Sequence, residues 1–86
     1  MRINVKFLMM AKDAAGVDET SFELSERSSL RDLIMKIVER SPRISSSAEE
    51  FLNKYIIIIN GVSPRSIDEQ LSDGDVVEVM PIISGG

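Results

Sequence analysis

The sequence contains no cysteine and no histidine. The first absence rules out disulfide bonds, a thiolate nucleophile and cysteine-ligated metal sites, and the second removes the other common zinc ligand. Without histidine, no side chain has an unperturbed pKa near neutrality, so acid–base catalysis would require a strongly shifted carboxylate or lysine. We therefore expect no metal site, no bound cofactor and no catalytic centre formed by this chain alone.

Long apolar and basic stretches are also lacking. The longest apolar run is "YIIII" at Tyr55–Ile59, far short of the roughly 18 residues of a membrane span, and "MRINVKF" at the start alternates instead of forming a signal-peptide core. Ten Lys and Arg residues are scattered among fourteen Asp and Glu residues, for a net charge of −4. The sequence therefore has no basic stripe that could bind the phosphates of a nucleic acid. These features predict a cytoplasmic protein that binds neither nucleic acid nor membrane, with an acidic body suited to a basic partner protein.

The 86 residues, 43% of them hydrophobic and 28% charged, predict one small globular domain. In the first segment Ile3, Val5, Phe7 and Met9 alternate with polar residues, which indicates a half-buried strand. We expect one of the adjacent residues Met9 and Met10 in the core and the other at the surface. A glycine-marked turn over residues 14–18 then leads to a second strand at 19–24, which would complete a hairpin.

The stretch "SSLRDLIMKIVERSP" predicts the main helix. Ser29 and Asp32 have the spacing of a capping box, and Ser41-Pro42 ends the helix because proline disfavours helical geometry in the residue before it. A single apolar stripe would pack on the sheet, and its members are Leu30, Leu33, Ile34, Ile37 and Val38.

The second half of the chain predicts more strands. A short helix over residues 48–53, capped by Ser47, precedes the strand Tyr55–Ile59, whose β-branched residues favour burial on both faces. The dipeptide Asn60-Gly61 is a strong hairpin signal, and it predicts a return strand over residues 62–65, with Pro64 confined to an edge. The last strand covers residues 75–80.

This order of elements predicts an α+β protein with the β-grasp, or ubiquitin-like, arrangement: a mixed sheet with one main helix packed on one face. The last strand would lie centrally and direct the chain end away from the body. We accordingly divide the chain into a domain, residues 1–80, and a flexible tail, residues 81–86.

The chain ends in "MPIISGG", a mainly apolar stretch followed by two glycines, which have no side chains. Three stretches together carry a resemblance to a known family: "FLMMAKDAAG" near the start, "LSDGDVVEVMP" with Leu71, Gly74 and Asp75, and the ending "PIISGG". On these motifs the chain resembles the MoaD/ThiS family of ubiquitin-like sulfur carriers, which includes the small subunit of molybdopterin synthase. Ile82 and Met9 depart from the molybdopterin branch, which commonly has proline and alanine at these positions.

The resemblance implies that the C-terminal carboxylate of Gly86 is the reactive group. It would be adenylated with ATP by a ubiquitin-activating-type enzyme, converted to a thiocarboxylate and presented to the large molybdopterin synthase subunit. The residues expected to bind these partners are Pro81, Ile82, Ile83, Ser84 and Gly85. An exposed apolar sheet face that includes Phe7 or Leu8 would also mark a partner site, so Phe7 is a further candidate contact.

The sequence leaves two other functions open. The same terminus would serve a ubiquitin-like modifier that forms isopeptide bonds with lysines, or a thiamin-type sulfur carrier. In each case the chain is the acyl group being activated and is not itself the enzyme.

Overall fold

The computed structural model describes residues 1–82. Within this range the elements are, in chain order, β1 (Arg2–Phe7), α1 (Met10–Ala15), β2 (Glu19–Glu23), α2 (Leu30–Arg40), α3 (Ala48–Lys54), β3 (Tyr55–Ile59) and β4 (Val76–Pro81). None of the helices in this part of the chain is both long enough and apolar enough to cross a bilayer.

The described strands form one four-stranded mixed sheet in the order β2-β1-β4-β3. Strand β1 pairs antiparallel with β2 and parallel with β4, and β4 also pairs antiparallel with β3. The parallel pair requires a crossover, which here includes α2. The β-grasp prediction is therefore confirmed, including the central position of the last strand.

Helix α2 forms as the sequence predicts. Asp32 accepts a hydrogen bond from the Ser29 amide at 2.8 Å and the Asp32 amide donates to Ser29 Oγ at 3.3 Å, which completes the capping box. Four stripe residues are fully buried against the sheet and Val38 is half-buried, and the buried four are Leu30, Leu33, Ile34 and Ile37. These residues share one hydrophobic core with Ile3, Val5, Val77 and Val79 of the two central strands.

Three local predictions are wrong. The segment after β1 forms the short helix α1, and both Met9 and Met10 are exposed, because Ala11 fills the core position instead. Strand β3 lies at the sheet edge with Ile56 exposed on one face, so it is not buried on both faces. The return strand after Asn60-Gly61 is reduced to a single bridge between Ile59 and Val62, since Pro64 cannot donate to a ladder.

Candidate functional site: the root of the tail

Strand β4 continues beyond the boundary that the sequence suggested at residue 80. Pro81 lies opposite Tyr55 in the ladder, and the Ile82 amide donates a 2.9 Å hydrogen bond to the carbonyl of Lys54. The first two residues of the predicted tail, Pro81 and Ile82, are therefore held on the sheet, and we call them the tail root. The other predicted tail residues, Ile83, Ser84, Gly85 and Gly86, lie outside the described residues.

A proline fits at position 81 because β1 turns away at this level. The amides of β1 bond to β4 up to Leu8, which donates to the Val79 carbonyl at 2.9 Å. In a regular parallel ladder the amide of residue 81 would donate to the Leu8 carbonyl next. That carbonyl instead accepts from the Ala11 amide at 3.1 Å, so the missing N–H of Pro81 leaves no ladder acceptor without a donor.

An apolar patch lies on the side of the sheet opposite α2, next to the tail root. Ile56 is directly opposite Met80, and Ile58 is opposite Glu78. Ile56 is 42% exposed and Ile82 is 45% exposed, while Ile58 and Met80 are half-buried. We call Ile56, Ile58, Met80 and Ile82 the outer-face patch. It gives the emerging chain an apolar platform on the body, the kind of surface at which proteins associate.

Phe7 is not part of this patch. Its exposed fraction is 3% and it belongs to the core under α2, because strand alternation puts it on the same face as Ile3 and Val5. The expectation that Phe7 lies on an exposed apolar sheet face is therefore wrong. The next residue, Leu8, is half-buried, and sequence alternation alone does not reveal which members of "YIIII" and "VEVMPI" remain accessible.

Two ion pairs between exposed side chains lie near the tail root. Lys54 Nζ lies 2.6 Å from Glu50 Oε1, and this hydrogen bond raises the pKa of Lys54 and lowers that of Glu50. Lys12 Nζ lies 2.9 Å from Asp18 Oδ1, which raises the pKa of Lys12. All these shifts favour the charged forms, so none supplies a group that would exchange protons near neutral pH. Residues 1–82 contain no cluster of acidic side chains arranged to hold a metal ion.

Comparison with known proteins gives matches along the whole chain. Residues 5–86 match the ThiS family. A molybdopterin synthase sulfur carrier subunit from Chlamydomonas reinhardtii is 32% identical over 87 aligned positions, which cover 100% of both chains.

Two solved structures extend the comparison. A protein from Pyrococcus furiosus, with the provisional description molybdopterin converting factor subunit 1, is 34% identical with a TM-score of 0.79 over 96% of this chain and 99% of that one. A complex of subunits 1 and 2 of the molybdopterin-converting factor from Helicobacter pylori matches over 100% of both chains with a TM-score of 0.68. At 20% identity the second match shows the shared fold alone.

Proposed function

This chain belongs to the ThiS family, and we propose that it is a sulfur carrier whose C-terminal Gly86 is converted to a thiocarboxylate for molybdopterin biosynthesis. The observation that supports this most strongly is the end-to-end match to a molybdopterin synthase sulfur carrier subunit, 32% identical with both chains fully covered. The match includes the region of the Gly85-Gly86 ending, where the proposed chemistry takes place.

The chemistry explains why the chain needs an activating partner. A terminal carboxylate has a pKa of about 3.3–3.7 and is ionised at neutral pH, so its carbon is a poor electrophile. In the proposed reaction the carboxylate of Gly86 attacks the α-phosphate of ATP, pyrophosphate leaves, and an acyl-adenylate forms. Sulfur at the oxidation level of sulfide then attacks the acyl carbon and displaces AMP, which gives the thiocarboxylate without any oxidation or reduction. Gly85 and Gly86 have no Cβ atoms, so an enzyme can approach the reacting carbonyl closely.

The partner that consumes the sulfur is proposed to be the second, larger subunit of a molybdopterin synthase. The Helicobacter pylori complex of subunits 1 and 2 supports an assembly of this kind. In this proposal the catalytic groups belong to the partner, and our chain supplies the sulfur and the docking surface. The activating enzyme uses the ATP, and we place both reactions in the cytoplasm.

The tail root sets how closely the two proteins must approach. Since Ile82 is bonded to the body, only the four residues 83–86 can reach forward, and four extended residues span at most about 14 Å. Six residues, as the sequence alone suggested, would span about 20 Å. A reaction centre at the tip of so short an extension brings the body against the partner, and the outer-face patch is the apolar surface at the tail root.

Intact-mass analysis of the protein purified from its native host tests the proposal. We expect a fraction whose mass corresponds to the exchange of one oxygen for sulfur, and this fraction should disappear after incubation with the cognate second subunit and the molybdopterin precursor. A ladder of lysine-linked conjugates without any thiocarboxylate would contradict the proposal and favour the modifier function. A thiocarboxylate that the second subunit does not discharge would favour a thiamin-type carrier.

A further inference from the structure

Met9 has a main-chain conformation that residues with a side chain rarely adopt. Its φ is 55° and its ψ is −133°. The Ala11 amide donates to the Leu8 carbonyl at 3.1 Å, so residues 8–11 form a turn in which Met9 has the dihedral angles of the first central position of a type II′ turn. Glycine dominates at this position, because a Cβ there clashes with the backbone.

The core does not require the Met9 side chain. It is 62% exposed, and the neighbouring Met10 is 74% exposed. Segment α1 is anchored by Ala11, which is fully buried. Glycine at position 9 would therefore relieve the strain without removing a core contact. Strained backbone conformations are concentrated at functional sites, and this one occurs at a residue whose side chain the core does not use.

The strained turn lies at the end of the sheet from which the tail leaves. Leu8 donates to the Val79 carbonyl at 2.9 Å, so Met9 follows β1 at the level where β4 reaches Pro81 and Ile82. The loop that connects β1 to β2, residues 8–18, also ends at this end of the sheet, since the Phe7 amide donates to the Asp18 carbonyl at 2.7 Å. Helix α1 also packs against β4. The tail root is thus flanked by this loop on one side and by β3 on the other.

The loop exposes apolar side chains, and one of its charges is paired within it. Val17, at the end of the loop, is 44% exposed, in addition to the two methionines, and the cation of Lys12 is paired with Asp18 at 2.9 Å. Methionine side chains are flexible and polarisable, so they adapt to an apolar partner surface. We call Met9 and Met10 the methionine knob.

We propose that the methionine knob is a second docking element for the protein that accepts the tail, and that it inserts into an apolar pocket on that partner beside the entrance for residues 83–86. The inference rests on the proposed function, because it assigns the occupant as the second subunit. The knob and the outer-face patch would then hold the body on both sides of the tail root, and the tail would be guided between them.

Isothermal titration calorimetry with the cognate second subunit tests the inference through four variants of the full chain. Met9→Gly removes the side chain and the strain, Met9→Ala removes most of the side chain and keeps the strain, and Met10→Ala shortens the other half of the knob. Met35→Ala is the matched control, because Met35 is 57% exposed on α2, away from the tail root.

We expect both Met9 variants to weaken the complex about tenfold or more, which corresponds to burial of one large apolar side chain. Met10→Ala should weaken it less, and Met35→Ala should bind within about twofold of the wild type, as a surface substitution outside the interface should. Thermal unfolding of the free proteins distinguishes the effect of backbone strain on stability from the effect of the side chain on binding. Met9→Gly should melt at a higher temperature than Met9→Ala, since only glycine relieves the strain of the turn.

The outcomes distinguish this inference from the proposed function. If the wild-type protein does not bind the second subunit, both fail. If the wild type binds and the two Met9 variants bind within twofold of it, the knob inference alone is overturned. Sedimentation velocity adds a further check: a wild-type homodimer that Met9→Gly dissociates would assign the knob to a second copy of this chain and would also overturn the inference.

Discussion

The main-chain amide of Ile82 donates a 2.9 Å hydrogen bond to the carbonyl oxygen of Lys54. Lys54 is the last residue of α3 and directly precedes β3, so one bond ties the tail root to both elements. It also extends the pairing of β4 with β3 past Pro81. The position from which residues 83–86 depart is therefore fixed relative to the outer-face patch, and this relationship makes the patch testable as part of the proposed interface.

We expect Ile56→Asp to weaken binding of the second subunit by about a hundredfold, because it would place an unpaired charge in a desolvated contact. Ile56 is 42% exposed, so the free protein should remain folded. Val62→Asp is the control: Val62 is 67% exposed, but it follows the Asn60-Gly61 turn at the opposite end of β3. Calorimetric affinities that fall equally for the two variants would argue against the patch as the interface.

Phe7→Ala should destabilise the protein and not merely its complex. The side chain is 3% exposed within the core, and deletion of a buried phenylalanine side chain costs about 3–5 kcal/mol. Phe7→Leu keeps most of the volume and should cost less than about 1.5 kcal/mol. Chemical denaturation of the free protein measures both. A Phe7→Ala variant with wild-type stability and impaired binding would instead support the sequence-based prediction of a partner contact.

Stability should fall in acid partly through Asp32. In the folded protein, hydrogen bonds from Ser29 lower the pKa of Asp32 below its ordinary value of 3.8. The ionised carboxylate therefore stabilises the fold at pH values above the pKa that Asp32 has in the unfolded chain. This stabilisation is lost as the pH falls through the lower pKa of the folded protein. Asp32→Ala should melt a few degrees below wild type at pH 7, and the difference should shrink below about pH 4. Asp13→Ala, at an exposed position on α1, is the control, and a difference independent of pH would contradict the assignment.

The fold could be predicted from the sequence where local signals agree with tertiary packing. Ser29, Asp32 and the apolar stripe fix α2 at both levels, and alternation fixes β1. The prediction was wrong for β3, because five apolar residues in a row do not indicate whether a strand is central or at an edge. That distinction depends on long-range pairing, here with β4 and with a return strand that Pro64 prevents.

The candidate site could be predicted only in part. The Pro81–Gly86 ending and its family resemblance identify where the chemistry should occur, but they do not show that Ile82 is bonded to Lys54 and shortens the reach of the tail. The exposure of Met9 was also missed, because alternation was extended two residues beyond the end of β1 at Phe7. A type II′ turn with methionine in place of glycine has no sequence signal, since the statistical preference at that position favours another residue.

The reactive role of the terminus can be tested by changing its length. Deletion of Gly86 leaves a carboxylate on Gly85, but one residue short by about 3.5 Å, and a misplacement of even about 1 Å can cost on the order of a hundredfold in rate. The rate of adenylation should therefore fall by about a hundredfold or more. Addition of one alanine after Gly86 should be equally damaging, because it converts the required carboxylate into a peptide bond. Gly85→Ala keeps the length of the tail and adds only a methyl group, so its activity should lie between that of the wild type and that of the deletion variant.

The measurement is ATP–pyrophosphate exchange with the cognate adenylating enzyme. Melting temperatures should not change in any of the three variants, since Ile82, the last residue with a described bond to the body, is kept. Native exchange rates in both the deletion and the extension variants would show that Gly86 is not the reactive group.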